Sequence, residues 1–337
     1  MERQPADDSA SRHVGLGPGS KSNQTPLDEA TIRMMAGLTL GSPTRQRQEA
    51  ATTASAAAPQ PAAPPRECKC TPLPMAPPPS SEQPNAAATE AGAISKILII
   101  MSMEVEAMPL VHKFKLVEAH GPESTFPMGT PWVRYYGKYK DLHIDLVRSG
   151  KDNIFGVDSV GTVSVSVVTF AAVQTLKPDL VLNAGTGSGF NAKGANVGDV
   201  YLASEVAFHD RRIPIPVFDL YAVGARKTFA TPNLLKEFNL KAGKLSTGDS
   251  LVLSPDDKEM ILKNDATVRD TEGAAVAYVA DMFSTPAIFV KAVTDVVDRE
   301  EPTPEAFLAN LMSVTTTLEL TVAKVVEFIS GKRFSDL

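Results

Sequence analysis

The first 93 residues contain none of the chain's 21 aromatic side chains, yet they hold 14 of its 26 prolines. Stretches such as ATTASAAAPQPAAPP and APPPSSEQPNAAATEAGA have too little apolar surface to offset the entropy of ordering a chain. Residues 1–93 are therefore expected to form a disordered tail. The patch LDEATIRMMAGLTL at 27–40 is expected to stay solvated with it. Cysteine is almost absent: Cys68 and Cys70 are the only two, and both lie in this tail. No disulfide can then support the rest of the chain, and a reducing compartment is expected. Two thiols do not complete a tetrahedral metal site, so no metal is assigned. No apolar run approaches the ~20 residues of a membrane helix, so no membrane partner is expected. The net charge of −6 gives no basic excess for a nucleic-acid partner. Glu2, Asp7 and Asp8 are out of place in an import presequence, which leaves the cytoplasm as the expected location.

Residues 94–337 are enough for one well-buried domain. KILIIMSM, from Lys96, is a continuous apolar run of the kind a buried parallel strand shows, and EVEAMPLVHKF after it has helical character. PWVRYYGKYKDLHIDLVRSG predicts two strands around a turn at Lys140-Asp141. GVDSVGTVSVSVVTFAAVQTLKP predicts a long helix of small residues stopped at Pro178. DLVLNAGTGSGF is expected to be a strand running into a glycine-rich loop. GDVYLASEVAFHD is expected to be a strand, with an irregular proline-rich stretch behind it. GKLSTGDSLV reads as strand and loop, and SPDDKEMILKND as a helix capped by Ser254. PAIFVKAVTDVV is expected to be a last buried strand, and a helix follows from about Pro304 to Ile329. Strands alternating with helices predict an α/β fold with helices on both faces of the sheet.

In such folds ligands gather at the carboxyl ends of strands. That rule selects 101–106, 183–190, 269–272 and 294–295. NAGTGSG, at 183–189, lacks the GK[ST] ending of a phosphate loop, and its evenly spaced glycines fit the dinucleotide pattern poorly. Each acid in these segments also has a plain structural reading. Glu272 would suit a helix cap, worth about 0.3–1 kcal/mol, and Asp295 a hydrogen-bonded turn. Glu106, Glu272 and Asp295 on one rim, with no Cys-His or His-Glu cluster, point instead to metal-free acid–base work on a sugar or polyol. The five histidines are scattered along the chain and suggest no site.

The segments MSMEVEAMPLV, LNAGTGSGF, GANVGDVYLASEVAFHDRRIPIPVFDLY, STGDSL, EGAAVAYVAD and KAVTDVVD, in this order, resemble the plant-type 5′-methylthioadenosine nucleosidases, a branch of the nucleoside phosphorylase superfamily. The resemblance spans roughly 95–337 and none of the tail. It implies a three-layer α/β/α phosphorylase/hydrolase-like fold with a central mixed sheet over 94–337. It also implies hydrolysis of the N-glycosidic bond of 5′-methylthioadenosine, with S-adenosylhomocysteine as a second candidate substrate, and no cofactor.

By the same resemblance Glu106 activates water, with Met103 beside the ribose, and Glu272 binds the ribose hydroxyls. Asp295 is the general acid, with Thr186 near it, and the backbone at Leu251 and Val252 recognises adenine. Delivering a proton to adenine calls for an Asp295 of raised pKa, for which burial is the means. The family pattern also implies a homodimer built in part by HDRRIPIPVFDLY. Thr271 departs from it, because a methionine that packs on the ribose usually stands there. Gly187-Ser188 departs as well, standing where a Cys-Gly pair is expected. Phosphorolysis is disfavoured, because phosphorylases carry an arginine where this chain has Asn183, and Glu106 would repel phosphate. A non-catalytic storage relative is the remaining alternative, against which the retention of all three acids counts.

Overall fold

The computed structural model describes residues 92–298 and 304–337, so the expected tail, the 27–40 patch and both cysteines lie outside the described residues. Strand β1 (Lys96–Met101) is buried at every residue after Lys96. Its alternate side chains divide between two cores: Ile97, Ile99 and Met101 enter one, Leu98 and Ile100 the other. A strand that feeds apolar residues to both faces must be covered on both, and it is. Helices α1 (Glu104–Phe114) and α7 (Pro304–Ile329) pack on the first face. Helices α2 (Thr162–Leu176) and α6 (Gly273–Met282) pack on the second. The result is the expected layered arrangement around a mixed sheet.

The other strands are β2 (Val117–Glu118), β3 (Val133–Tyr139), β4 (Leu142–Arg148), β5 (Leu180–Gly189), β6 (Val200–Phe208), β7 (Arg226–Lys227), β8 (Lys241–Thr247), β9 (Val268–Asp270) and β10 (Ala287–Val296). They run in the order β10-β6-β8-β9-β5-β1-β4-β3-β2, with β7 on β6. β10 also pairs in parallel with β5, which closes β5, β10, β6, β8 and β9 into a ring. β3 and β4 meet at Tyr139 and Leu142 through the expected two-residue turn, where Lys140 takes φ 51°. β1 lies parallel to β4 and β5, so the ends of β1, β5 and β10 all point to one side.

Helix α5 (Pro255–Lys263) starts as expected: Ser254 Oγ accepts from Asp257 N at 3.1 Å, and Asp257 Oδ2 accepts from Ser254 N at 2.9 Å. The stretch expected to be irregular contains two short helices, α3 (Phe218–Val223) and α4 (Pro232–Phe238). At six and seven residues they are too short to show a helical period, although Pro232 at the first turn of α4 is a start signal.

The glycine-rich segment is not a loop, and this corrects the sequence reading. β5 continues through Gly185, Gly187 and Gly189, all with φ in the range open to any residue. The glycines serve close approach. A Cβ on Gly187 would sit 2.5 Å from the Arg269 carbonyl oxygen, and one on Gly189 2.8 Å from Ala195 Cβ. We expect Gly187→Ala to part β5 from β9 and to destabilise the protein by about 1–3 kcal/mol, read from the urea midpoint.

Candidate active site

At the carboxyl ends of β1, β5 and β10 lies a cavity of about 240 Å³ whose wall includes Met103, Glu106, Thr186, Leu251, Thr271 and Glu272. A larger recess of about 430 Å³ lies between Phe190, Leu262 and Val297, but among the described residues Asp298 is the one carboxylate in its wall. The smaller cavity is the one where acids converge, and convergent polar groups mark a site better than volume does.

Met103 caps α1 by its backbone, which places Glu106 in the first turn, where the helix dipole favours a carboxylate. Glu106 is only 3% exposed. Its Oε1 accepts from Thr186 N at 2.8 Å and from Thr186 Oγ1 at 2.6 Å. Burial raises its pKa from 4.5 to about 7; the Thr186 bonds oppose this, the charge of Glu272 adds to it, and Lys291 opposes it.

Glu272 stands at the N-cap of α6, yet its side chain makes no capping bond. The simple reading of this residue as a helix cap is therefore wrong. Asp270 does the capping: its Oδ2 accepts from Gly273 N at 2.8 Å, and its Oδ1 accepts from Thr247 Oγ1 at 2.6 Å. Thr247 Oγ1 in turn accepts from Ala274 N at 2.9 Å. With the helix start satisfied by other groups, the Glu272 carboxylate turns to the cavity. There it accepts from Thr271 Oγ1 at 2.5 Å and from Gly161 N at 3.5 Å. Thr271 thus bonds the glutamate beside it. Burial raises the Glu272 pKa, against the pull of Lys291.

Two cations here escaped the sequence reading. Lys291, in the middle of β10, is 1% exposed, and its Nζ lies 2.8 Å from Asp270 Oδ2. Burial pushes its pKa down, but Asp270 and Glu272 outweigh that and hold it above the usual lysine range. The signal was present: a lysine inside AIFVKAVT has no place in a buried strand without a partner. Arg269 is buried on β9 and ties down the loop that follows β8, donating to Ser250 O at 3.2 Å and Leu251 O at 2.7 Å. Burial lowers its pKa, and the charges of Asp295, Asp270 and Asp257 resist that.

Asp295 is 6% exposed at the end of β10, where the pairing with β5 slips by one residue between Val293 and Asp295. Such a bulge re-aims side chains, and here Thr294 reaches the cavity wall. Thr294 Oγ1 lies 2.8 Å from Asp295 Oδ1, so Asp295 stands directly behind that wall. Leu251 lies in the wall, while the Val252 side chain is 78% exposed and stands away from it. Asn183 is buried within β5 and donates to Ile100 O at 3.1 Å, short of the cavity. Among the described residues no three of His, Cys, Asp and Glu come together to hold a metal ion, and no helix is long and apolar enough to cross a membrane.

A family profile described as Phosphorylase superfamily matches residues 96–327. A 5′-methylthioadenosine nucleosidase of Arabidopsis thaliana is 57% identical over 244 residues, covering 72% of this chain and 91% of that one. A 5′-methylthioadenosine/S-adenosylhomocysteine nucleosidase of the same plant is 56% identical, covering 72% of this chain and 95% of its own. The apo structure of the Arabidopsis 5′-methylthioadenosine nucleosidase superposes with a TM-score of 0.72 at 57% identity, covering 73% of this chain and all of that one.

The buried Glu106 makes stability depend on pH. Its folded pKa lies above the unfolded value, so its contribution is present below about pH 4.5 and is lost as pH rises through about 7. Glu106→Gln should remove that loss, so that its stability relative to wild type rises by up to about 3 kcal/mol between those pH values in urea unfolding.

Proposed function

Because the chain belongs to the phosphorylase superfamily and, within it, to the plant-type 5′-methylthioadenosine nucleosidases, we propose that the cavity at Glu106 and Glu272 hydrolyses 5′-methylthioadenosine to adenine and 5-methylthioribose. The observation that carries this reading is the pairing of a buried, raised-pKa Glu106 with a Glu272 freed from capping, both in the wall of one small cavity.

The chemistry assigns each group a task. As the C1′–N9 bond breaks, positive charge gathers on the ribose and negative charge on the leaving base. Asp295 is the general acid that protonates N7 of adenine and so discharges the base. Glu272 accepts hydrogen bonds from the ribose 2′- and 3′-hydroxyls, and these tighten as the ring becomes cationic. Glu106 takes a proton from the water that attacks C1′, and a pKa of about 7 suits a base working near neutrality. Met103 packs beside the sugar, and Thr186 orients Glu106. The Leu251 and Val252 backbone meets the adenine edge, with Leu251 held by Arg269. A Glu106 charge in this cavity favours water over phosphate as nucleophile. Capacity for turnover by these three acids also sets the chain apart from a storage protein. The reaction takes place in the cytoplasm and belongs to the salvage of methionine.

The enzyme works as a homodimer. Helix α2 supports this: Val163, Val167 and Phe170 on its outer side are 75%, 52% and 40% exposed. Ile215, Val217, Phe218 and Leu220, in the stretch expected to build the interface, are also exposed. A helix apolar on every side calls for cover on every side.

Purified protein should release adenine from 5′-methylthioadenosine at a rate that added phosphate does not change. Asp295→Asn should lower that rate at least ~100-fold, since an amide has no acidic proton for N7. Phosphate-dependent release, or normal turnover by the variant, would refute the reading, and the same assay with S-adenosylhomocysteine tests the second substrate. Val167→Asp should convert the dimer to a monomer in analytical ultracentrifugation. A wild-type protein that sediments as a fully active monomer would refute the dimer.

A further inference from the structure

The carboxylate of Asp270 is fully enclosed and meets three partners: Thr247 Oγ1 at 2.6 Å, Gly273 N at 2.8 Å and Lys291 Nζ at 2.8 Å. Capping of α6 explains two of these bonds, and the third is an ion pair that capping does not require. The ammonium so held lies near Glu106, and its charge also reaches Glu272. A Cβ placed on Gly185 would be 3.4 Å from Lys291 Nζ and 3.6 Å from Glu106 Oε2, so ammonium and carboxylate sit over the same bare strand position. Glu272 also feels the Lys291 and Asp270 charges.

The charges that face this cluster can be counted by element. Glu106 comes from α1, Lys291 and Asp295 from β10, Asp270 and Arg269 from β9, Glu272 from the start of α6, and Asp249 from the loop after β8. β5 contributes Thr186 and a bare glycine, and the entry to α2 contributes the Gly161 amide. The Lys291 ammonium is ion-paired with Asp270, and its charge reaches Glu106 and Glu272 at longer range.

We propose that Asp270 is a positioning residue for the reaction: it fixes the Lys291 ammonium within reach of Glu106 and Glu272, and its own charge sets the pH range in which that pair of carboxylates is ionised. This rests on the nucleosidase reading above. Neutralising Asp270 leaves the full Lys291 charge to the two glutamates, which then lose their protons at lower pH. Because the two are close, the change belongs to the pair rather than to either alone.

The test is the pH profile of kcat/KM for 5′-methylthioadenosine with the full chain, measured between about pH 5 and 9, whose acid limb reports the essential groups of the free enzyme. Asp270→Asn keeps an amide oxygen for Gly273 and removes the charge; its acid limb should move down by about one pH unit. Asp270→Glu keeps the charge, and Thr247→Val removes two capping bonds, to Asp270 Oδ1 and from Ala274 N, but no charge. Both should leave the limb in place, whatever they do to kcat or thermal stability. An Asp270→Asn limb that stays at the wild-type pH or moves up overturns the proposal, as does a Thr247→Val shift of equal size. If Asp270→Asn does not fold, Lys291→Gln decides. Loss of the ammonium should move the limb up by about one unit, and an unmoved limb overturns the proposal. Absence of adenine release by the wild type would instead sink the nucleosidase reading. The fall of stability with rising pH, which needs no substrate, then carries the test and should move to lower pH in Asp270→Asn.

Discussion

Burying several carboxylates in one small space is the constraint around which this protein is arranged. Glu106, Glu272 and Asp270 are each less than a tenth exposed, and water cannot solvate their charge. The fold answers with a single enclosed ammonium, with hydroxyls from Thr186, Thr247 and Thr271, and with backbone amides at a helix start. Each of these groups sits on a different element. Their meeting requires the ends of β1, β5, β9 and β10 to be brought together, which the closure of β10 onto β5 accomplishes. An isolated buried carboxylate would take up a proton and lose its use as a base; here the surroundings leave Glu106 titrating near neutrality instead.

The division of labour at the start of α6 follows from the same constraint. A carboxylate that caps a helix spends its acceptor oxygens on amides and cannot also face a ligand. Placing the cap on Asp270, two residues earlier, separates these tasks. Thr271 between them adds a hydroxyl bond to Glu272 that a methionine at this position would not supply. The site gives up apolar contact at this point and gains a second hold on the carboxylate.

Much of this was legible in the sequence, because it depended on local pattern. The buried strands announced themselves as apolar runs, the turn at Lys140-Asp141 by its flanks, and the start of α5 by Ser254 and Asp257. Glu106, Thr186 and Glu272 stood at predicted strand ends and do meet in one cavity. What stayed hidden depended on partners distant in sequence. NAGTGSG reads as a loop because glycine usually marks one, whereas here its lack of a side chain admits Arg269 and Ala195 against a continuing strand. Lys291 and Asp270 look unrelated until β9 and β10 are folded into one ring, and Arg269 has no visible purpose until its carbonyl partners are in place. Helices of six or seven residues carry too few positions for a period to show.

The closed ring also bears on solubility. Exposed strand edges are templates on which foreign strands add, and a barrel-like closure removes them. The strands that carry Thr186, Asp270, Lys291 and Asp295 all belong to the ring. The open margin of the sheet falls at its other end, where β2 is two residues long and the strand beside it, β3, carries Arg134 and Lys138. A short, charged margin is a poor seed for fibril growth. β10, with its run of Ile, Phe and Val, is thus kept from intermolecular pairing by the same closure that assembles the acids.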